Sequence, residues 1–242
     1  MKFFLSFGNE RFKKSRYRIE KEAINTKLFD SVIIETEEIC NEEPFKSLCN
    51  NFITGRGFYW YMWKPYIIFK TLQRLKEDDI LFYCDSGMTI YNYPDRIEKF
   101  KTLFELVKDK SKCLTGIATF LTTGPSSERK EYMYNIKQVL KHFNVHNNEN
   151  ITHTQQCQAG INIIRKCDES IKIIEEWFKL TITNPEFFIG DYRFCNLEKI
   201  NQSKGFRDHR HDQSVWSILC KLNNVNILDH KFNPIYQSHY RE

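Results

Sequence analysis

Short continuous apolar runs alternate along this chain with stretches whose apolar residues recur every three to four positions. These are the signatures of buried strands and of helices with one buried face. Residues 3–7 predict a first strand that ends at Gly8-Asn9. Ile19, Ala23 and Leu28 mark one face of a basic helix, and residues 31–34 predict a second strand. A polar stretch runs from Glu35 to about Gly57, after which Pro65 opens a helix, where its missing N–H deprives no partner. Ile67, Ile68, Thr71, Leu72 and Leu75 line one face of that helix, and residues 80–84 form an uninterrupted apolar run closed by Asp85-Ser86-Gly87. Such a run suits a strand buried on both faces. Ile97, Phe100, Leu103, Phe104 and Val107 predict the next helix, residues 114–121 a strand, and Ile136, Val139, Leu140 and Phe143 a further helix. Residues 160–164 then read as a strand and Ile171, Ile174 and Phe178 as a helix. Residues 184–204 read as loop, Val215, Ile218, Leu219 and Leu222 as a helix, and residues 225–228 as a short strand.

Strands alternating with helices over one core imply an α/β layered fold with a mostly parallel sheet flanked by helices. The 242 residues show no internal repeat and no Pro/Gly linker, so one domain over residues 1–242 is expected. Ligands of open α/β sheets bind beyond the carboxyl ends of the strands. That rule directs attention to Gly8, Asp85 and the segments around Gln158 and Asp212.

Composition changes this picture little. Hydrophobic residues at 41% and charged residues at 28% exclude a disordered or fibrous chain. A net charge of +5 is too small, and too dispersed, to argue for a nucleic-acid-binding protein. Its densest cationic run, Arg11, Lys13, Lys14, Arg16, Arg18 and Lys21, reads as a solvated helix face. The eight cysteines form no C-x-x-C pair and sit mostly in apolar runs, so a reducing, cytoplasmic setting is expected. No stretch approaches the roughly 20 apolar residues of a membrane span, and the first eight residues read as a strand rather than a signal.

Three segments carry candidate chemistry. Asp85, just past a buried strand, could hold a divalent metal or a hydroxyl, and Ser86-Gly87 lets the backbone approach a ligand; a plain turn is the alternative. Residues 55–66 gather Phe58, Tyr59, Trp60, Tyr61 and Trp63 beside Arg56 and Lys64 at a helix start. Cations and rings together suit an anion joined to a base or sugar, with at least one of Trp60 and Trp63 serving as a core residue. Asp212 opens the last long helix, where an N-cap is the simplest reading. His209, His211 and Gln213 extend polar reach around it, and His230 and His239 follow.

Four ordered blocks then resemble a set of bacterial and giant-virus glycosyltransferase-like proteins. The blocks are Gly55-Arg56-Gly57 through Trp63-Lys64-Pro65-Tyr66-Ile67-Ile68, then Asp79 through Asp85-Ser86-Gly87-Met88-Thr89-Ile90, Gln158-Ala159-Gly160-Ile161 with Glu176-Trp177, and His209-Arg210-His211-Asp212-Gln213-Ser214-Val215. The resemblance spans nearly the whole chain. It implies a GT-A (Rossmann-like) fold and a hexosyltransferase-like enzyme that moves a sugar from a nucleoside-diphosphate sugar, with a UDP-sugar expected, to a glycan or protein acceptor. Host cytoplasm is implied if the source is viral. In such folds an Asp-x-Asp holds Mn2+ or Mg2+ on the diphosphate; here Asp85 supplies the first acid and Gly87 replaces the second. The resemblance gives Asp85 and His239 as metal ligands and Asp85, Asp212 and Gln213 as catalytic residues. It puts Arg56, Lys64, Gly8, Ser86, Gly87, Gln158, Gly160 and His211 around the nucleotide-sugar, with an Asp-Gln pair that favours retention. The missing second acid motivates an alternative, a non-catalytic nucleotide-sugar or glycan-binding module on the same fold.

Overall fold

The computed structural model describes residues 1–51, 56–125, 128–189 and 202–235. Its strands are β1 (Lys2–Phe7), β2 (Ser31–Glu35), β3 (Ile80–Cys84), β4 (Ile117–Leu121), β5 (Cys157–Arg165) and β6 (Asn226–Leu228). They form one six-stranded sheet in the order β2-β1-β3-β5-β4-β6. The β1–β2, β1–β3 and β4–β6 pairs are parallel, whereas β5 is antiparallel to both of its neighbours.

The sheet is thus mostly parallel, with one reversed strand near its centre. That reversal has a functional consequence. In a parallel strand Gln158 and Gly160 would begin at the edge opposite Asp85. Because β5 runs backwards, its first residues lie beside the end of β3, with Cys84 facing Ile161.

Strand alternation splits the core into two layers. Leu81 and Tyr83 of β3 point into a cluster with Ile67, Leu72, Ile174, Trp177, Val215 and Trp216. Ile80, Phe82 and Cys84 point the other way, among Ile19, Phe100, Phe104 and Ile163. The first layer is covered by the helices Trp63–Arg74, Asp168–Thr183 and Asp212–Leu222, the second by Lys13–Asn25 and Pro94–Lys108.

Several expected boundaries shift. The basic helix stops at Asn25, leaving Leu28 beyond it, and the Pro65 helix begins two residues earlier at Trp63. β4 begins at Ile117, because Gly116 turns the chain at φ +67 first. The helix around Val139 is confined to Lys137–His142, and the polar stretch after β2 contains the helix Phe45–Asn51. A short helix, Glu186–Ile189, interrupts the expected loop, of which residues 190–201 fall outside the described residues. No described helix is long and apolar enough to cross a membrane.

Trp177 and Trp216 stack at 4.5 Å between ring centroids and are fully buried. They join the Asp168–Thr183 helix to the helix that opens at Asp212. Trp177→Ala is expected to destabilise the protein by about 3–5 kcal/mol, read as a lowered urea midpoint. A loss below about 1 kcal/mol would show that this stack does not anchor the helix.

Candidate active site

Lys64 lies in the first turn of the Trp63–Arg74 helix and is only 2% exposed. An unpaired ammonium buried this way would cost several kcal/mol. Two carboxylates answer it: Asp212 Oδ2 at 2.7 Å and Asp85 Oδ1 at 3.2 Å from Nζ. Burial by itself would lower the Lys64 pKa, but Asp212 and Asp85 reverse this and hold it above its usual range. Asp212 is 4% exposed, and burial pushes its carboxyl up to about 6 against the pull of Lys64. Its contact with Lys64 is an ion pair without hydrogen-bond alignment, which leaves lone pairs on Oδ2 for a donor.

Asp85 is held by the sheet edge. Its backbone N–H donates to Gly160 O at 2.9 Å, and its Oδ1 accepts from the Tyr83 hydroxyl at 2.5 Å. Burial raises the pKa of that hydroxyl well above the usual tyrosine value, so it stays a donor. One third of the Asp85 side chain (33%) remains open to solvent. Gly160 leaves room for this close approach. A Cβ there would lie 2.8 Å from Asp85 Oδ2 and 2.6 Å from Met88 Cε.

The neighbouring turn is strapped from outside. Arg18 donates to Ser86 O at 2.9 Å and to Thr89 Oγ1 at 3.1 Å, and Arg16 donates to Gly8 O at 3.0 Å. Two members of the basic run therefore fasten the site's rim rather than standing in solvent as expected. Gly8 faces Ser86, its Cβ position being 3.5 Å from Ser86 Oγ, and no atom of the described residues lies within 4 Å of the Cβ position of Gly87.

Across the cleft, Phe58, Tyr59, Trp60 and Tyr61 all adopt positive φ, between 52° and 62°. That region disfavours L-residues by roughly 1–2 kcal/mol each. Gly57 makes the turn possible, since a Cβ on it would overlap the Tyr61 ring at 2.1 Å. The turn brings the Trp60 and Tyr61 rings to 5.3 and 5.9 Å from the His211 ring. Trp63 turns inward and stacks on Phe7 at 3.9 Å, so it is the core residue of the pair. Arg56 stays on the rim, 3.9 Å from Asp208 Oδ2.

The last segment departs from its simplest reading. His211, at φ 53°, is the N-cap, and Asp212 is the first helical residue with its carboxylate turned to Lys64. His211 Nδ1 lies 2.7 Å from Phe188 O, and burial lowers its pKa. His209 meets Phe187 O at 2.7 Å and accepts from Ile136 N–H; burial, then His211, lower its pKa to about 3. Burial thus disfavours the imidazolium form of both. Gln213 donates to Gln156 Oε1 at 2.9 Å, and Gln156 in turn donates to Glu131 Oε2 at 3.0 Å. Gln158 donates to Leu121 O at 2.8 Å.

Sequence reasoning passed over Tyr83, Gln156 and Glu131. Tyr83 had a signal, since it stands two residues before Asp85 and so shares its strand face. Glu131 and Gln156 had none: they meet only because β5 begins beside the segment carrying Glu131.

The described donors do not fit a divalent cation by themselves. No three His, Cys, Asp or Glu side chains converge among the described residues, and Asp85 Oδ1 already faces the Tyr83 hydroxyl and the Lys64 ammonium. His239, the second expected ligand, lies outside the described residues.

No family model and no curated protein matches the chain. Several solved structures resemble it. A glycosyltransferase involved in glycosylation of the major capsid of PBCV-1 shares 13% identity over 86% of this chain and 80% of its own, with a TM-score of 0.41. Glycosyltransferase GlyE of Streptococcus pneumoniae TIGR4 shares 13% over 95% of this chain but 45% of its own, again at 0.41, so this chain spans under half its length. Mouse xyloside xylosyltransferase 1 shares 11% over 94% of this chain and 84% of its own, at 0.45. These likenesses assign no family.

Removing the cation should expose the cost of the triad. Lys64→Met leaves the buried Asp212 carboxylate, and the half-buried Asp85, without their partner and is expected to lose about 3–5 kcal/mol near neutral pH. The sign with pH follows from Asp212. Its folded pKa, about 6, exceeds the ordinary aspartate value of about 3.9, so the folded state binds this proton more tightly and stability falls as pH rises between the two. Without Lys64 that pKa climbs further, so the variant's deficit should shrink at about pH 5, where Asp212 takes up a proton. Urea titrations at both pH values check this; a deficit independent of pH would sink it.

Proposed function

We propose that this chain transfers a glycosyl group from a nucleoside-diphosphate sugar to an acceptor hydroxyl. The observation that carries the reading is the Asp85–Lys64–Asp212 triad at the ligand-binding edge of the sheet. Lys64 brings both carboxylates to one point, and one of them stays open to solvent. Carboxylates presented in this way accept hydrogen bonds from vicinal hydroxyls, the recognition a sugar needs. Trp60, Tyr61 and His211 supply a ring wall against which a sugar or base could stack. The Lys64, Asp85 and Asp212 blocks occur in the order that the resembling glycosyltransferase-like proteins show.

In this reading Asp212 and Asp85 hold the donor sugar through its hydroxyls. Gln213, held by Gln156, orients the group beside the anomeric carbon. The anomeric C–O bond breaks with its electron pair passing to the diphosphate, and the acceptor oxygen bonds to the same carbon. In a retaining enzyme the acceptor attacks from the leaving-group side and gives its proton to the departing phosphate oxygen. Lys64 does not neutralise the diphosphate, since its charge is already matched by Asp85 and Asp212; it keeps the two carboxylates ionised and aimed.

A screen of UDP-, GDP- and dTDP-sugars, with and without Mn2+, is expected to show binding and slow donor hydrolysis with at least one donor. Asp85→Asn and Asp212→Asn should each lower turnover by about 100-fold or more, and Asp212→Asn should also lower the melting temperature, because it leaves the buried Lys64 with Asp85 alone. Donor binding without turnover under every condition would replace this reading with that of a binding module. No binding of any donor would end both.

A further inference from the structure

Two residues before Asp212 begins a second cluster that the triad does not use. Tyr134 is buried, and the guanidinium groups of Arg129 and Arg210 flank its ring. The Arg210 Cζ stands 4.9 Å from the ring centroid and that of Arg129 5.7 Å. Arg207 approaches the hydroxyl end: burial would raise the Tyr134 pKa, yet Arg207, with Arg129 and Arg210, brings it below the usual tyrosine value.

Backbone hydrogen bonds build the arrangement. Arg207 N–H donates to Met133 O at 2.8 Å and Arg210 N–H to Tyr134 O at 3.4 Å, while Gln156 N–H donates to Arg129 O at 2.9 Å. Ser214 Oγ closes it with a bond to Tyr134 O at 2.6 Å. The segment after β4 and the segment before Asp212 are thus zipped together, and the arginines project from that seam.

These cations are poorly matched. Arg129 and Arg207 form no ion pair with a carboxylate among the described residues. Arg210 shares the half-exposed Asp208 with Arg56, each at 3.9 Å. Glu131, two residues after Arg129, is fully buried and turned to Lys221 and Ser217. Glu128 is exposed at the start of the segment. Arg129 Nε is buried with no acceptor among the described residues. A buried donor left unmatched is costly, and like charges gathered at one ring repel; among the described residues no anion settles both.

The geometry points to Arg129, Arg207 and Arg210 as an oxyanion site beside Asp212-Gln213 that takes a phosphoryl or carboxylate group of a substrate. Tyr134 forms its floor, and Arg129 Nε is the donor awaiting an acceptor. Assigning the oxyanion to a transfer substrate rests on the glycosyl-transfer reading. The group comes either from the donor's diphosphate or from an acidic acceptor.

Calorimetric titration with UDP tests the first source, and with glucose 6-phosphate and glucuronate the second, on the wild-type chain and on the Arg207→Gln/Arg210→Gln double variant. The double variant should bind the competent probe about tenfold more weakly or worse, with an unchanged melting temperature in its absence. The probe that loses affinity names the source. Equal affinity in both proteins, or no binding of any probe to the wild type, overturns the site. Asp212→Asn separates the two claims, since it should retain the oxyanion and lose transfer. If the wild type holds the oxyanion through these arginines but transfers no sugar, the transfer reading fails and the site stands.

Discussion

A buried ammonium must be answered by negative charge, and the arrangement around Lys64 follows from that requirement. Lys64 comes from the start of the Trp63–Arg74 helix, Asp85 from the end of β3, and Asp212 from the first turn of the Asp212–Leu222 helix. No two of these are near in sequence. The ion pairs therefore clamp two helices to the sheet edge at one point. Replacing the triad by apolar groups could be stabilising in a fold of this kind. The charged triad lies at the strand-end edge where ligands of open α/β sheets bind.

The reversed central strand serves that clamp. β5 enters the sheet at the edge where β3 leaves it, so Gly160 can accept the Asp85 N–H and still leave space for the carboxylate. A Cβ there would have to displace the ends of two side chains, Asp85 Oδ2 and Met88 Cε. The same reversal starts β5 beside Glu131, and the chain of bonds from Glu131 through Gln156 to Gln213 sets the far side of the site. A buried, fully used carboxylate thus orients an amide at the cleft through one intermediate side chain.

Much of the fold was legible from periodicity. All six strands and the long helices fall where apolar spacing places them, because a layered α/β core demands one buried face per helix and fully buried central strands. Short helices such as Glu186–Ile189 were not legible, since four residues carry no periodic signal. At the site, Asp85 and Asp212 stood out by position, at a strand end and a helix start. Tyr83 was hidden inside an apolar run, where its ring reads as core and its hydroxyl goes unnoticed.

The sequence by itself determined the order of strands and helices and the residue types that could carry chemistry, because burial periodicity and strand-end polarity are local properties. Only the tertiary structure decided what those residues do to one another. From sequence Lys64 is a cation free to meet a diphosphate; in the fold its charge is matched by two carboxylates. Arg16 and Arg18 look solvated in sequence and instead hold the rim, while Arg129, Arg207 and Arg210, scattered in sequence, gather at Tyr134. The reason is physical: a charge's role depends on the distance and burial of its partners, and both are set by contacts between segments that sequence separation does not reveal.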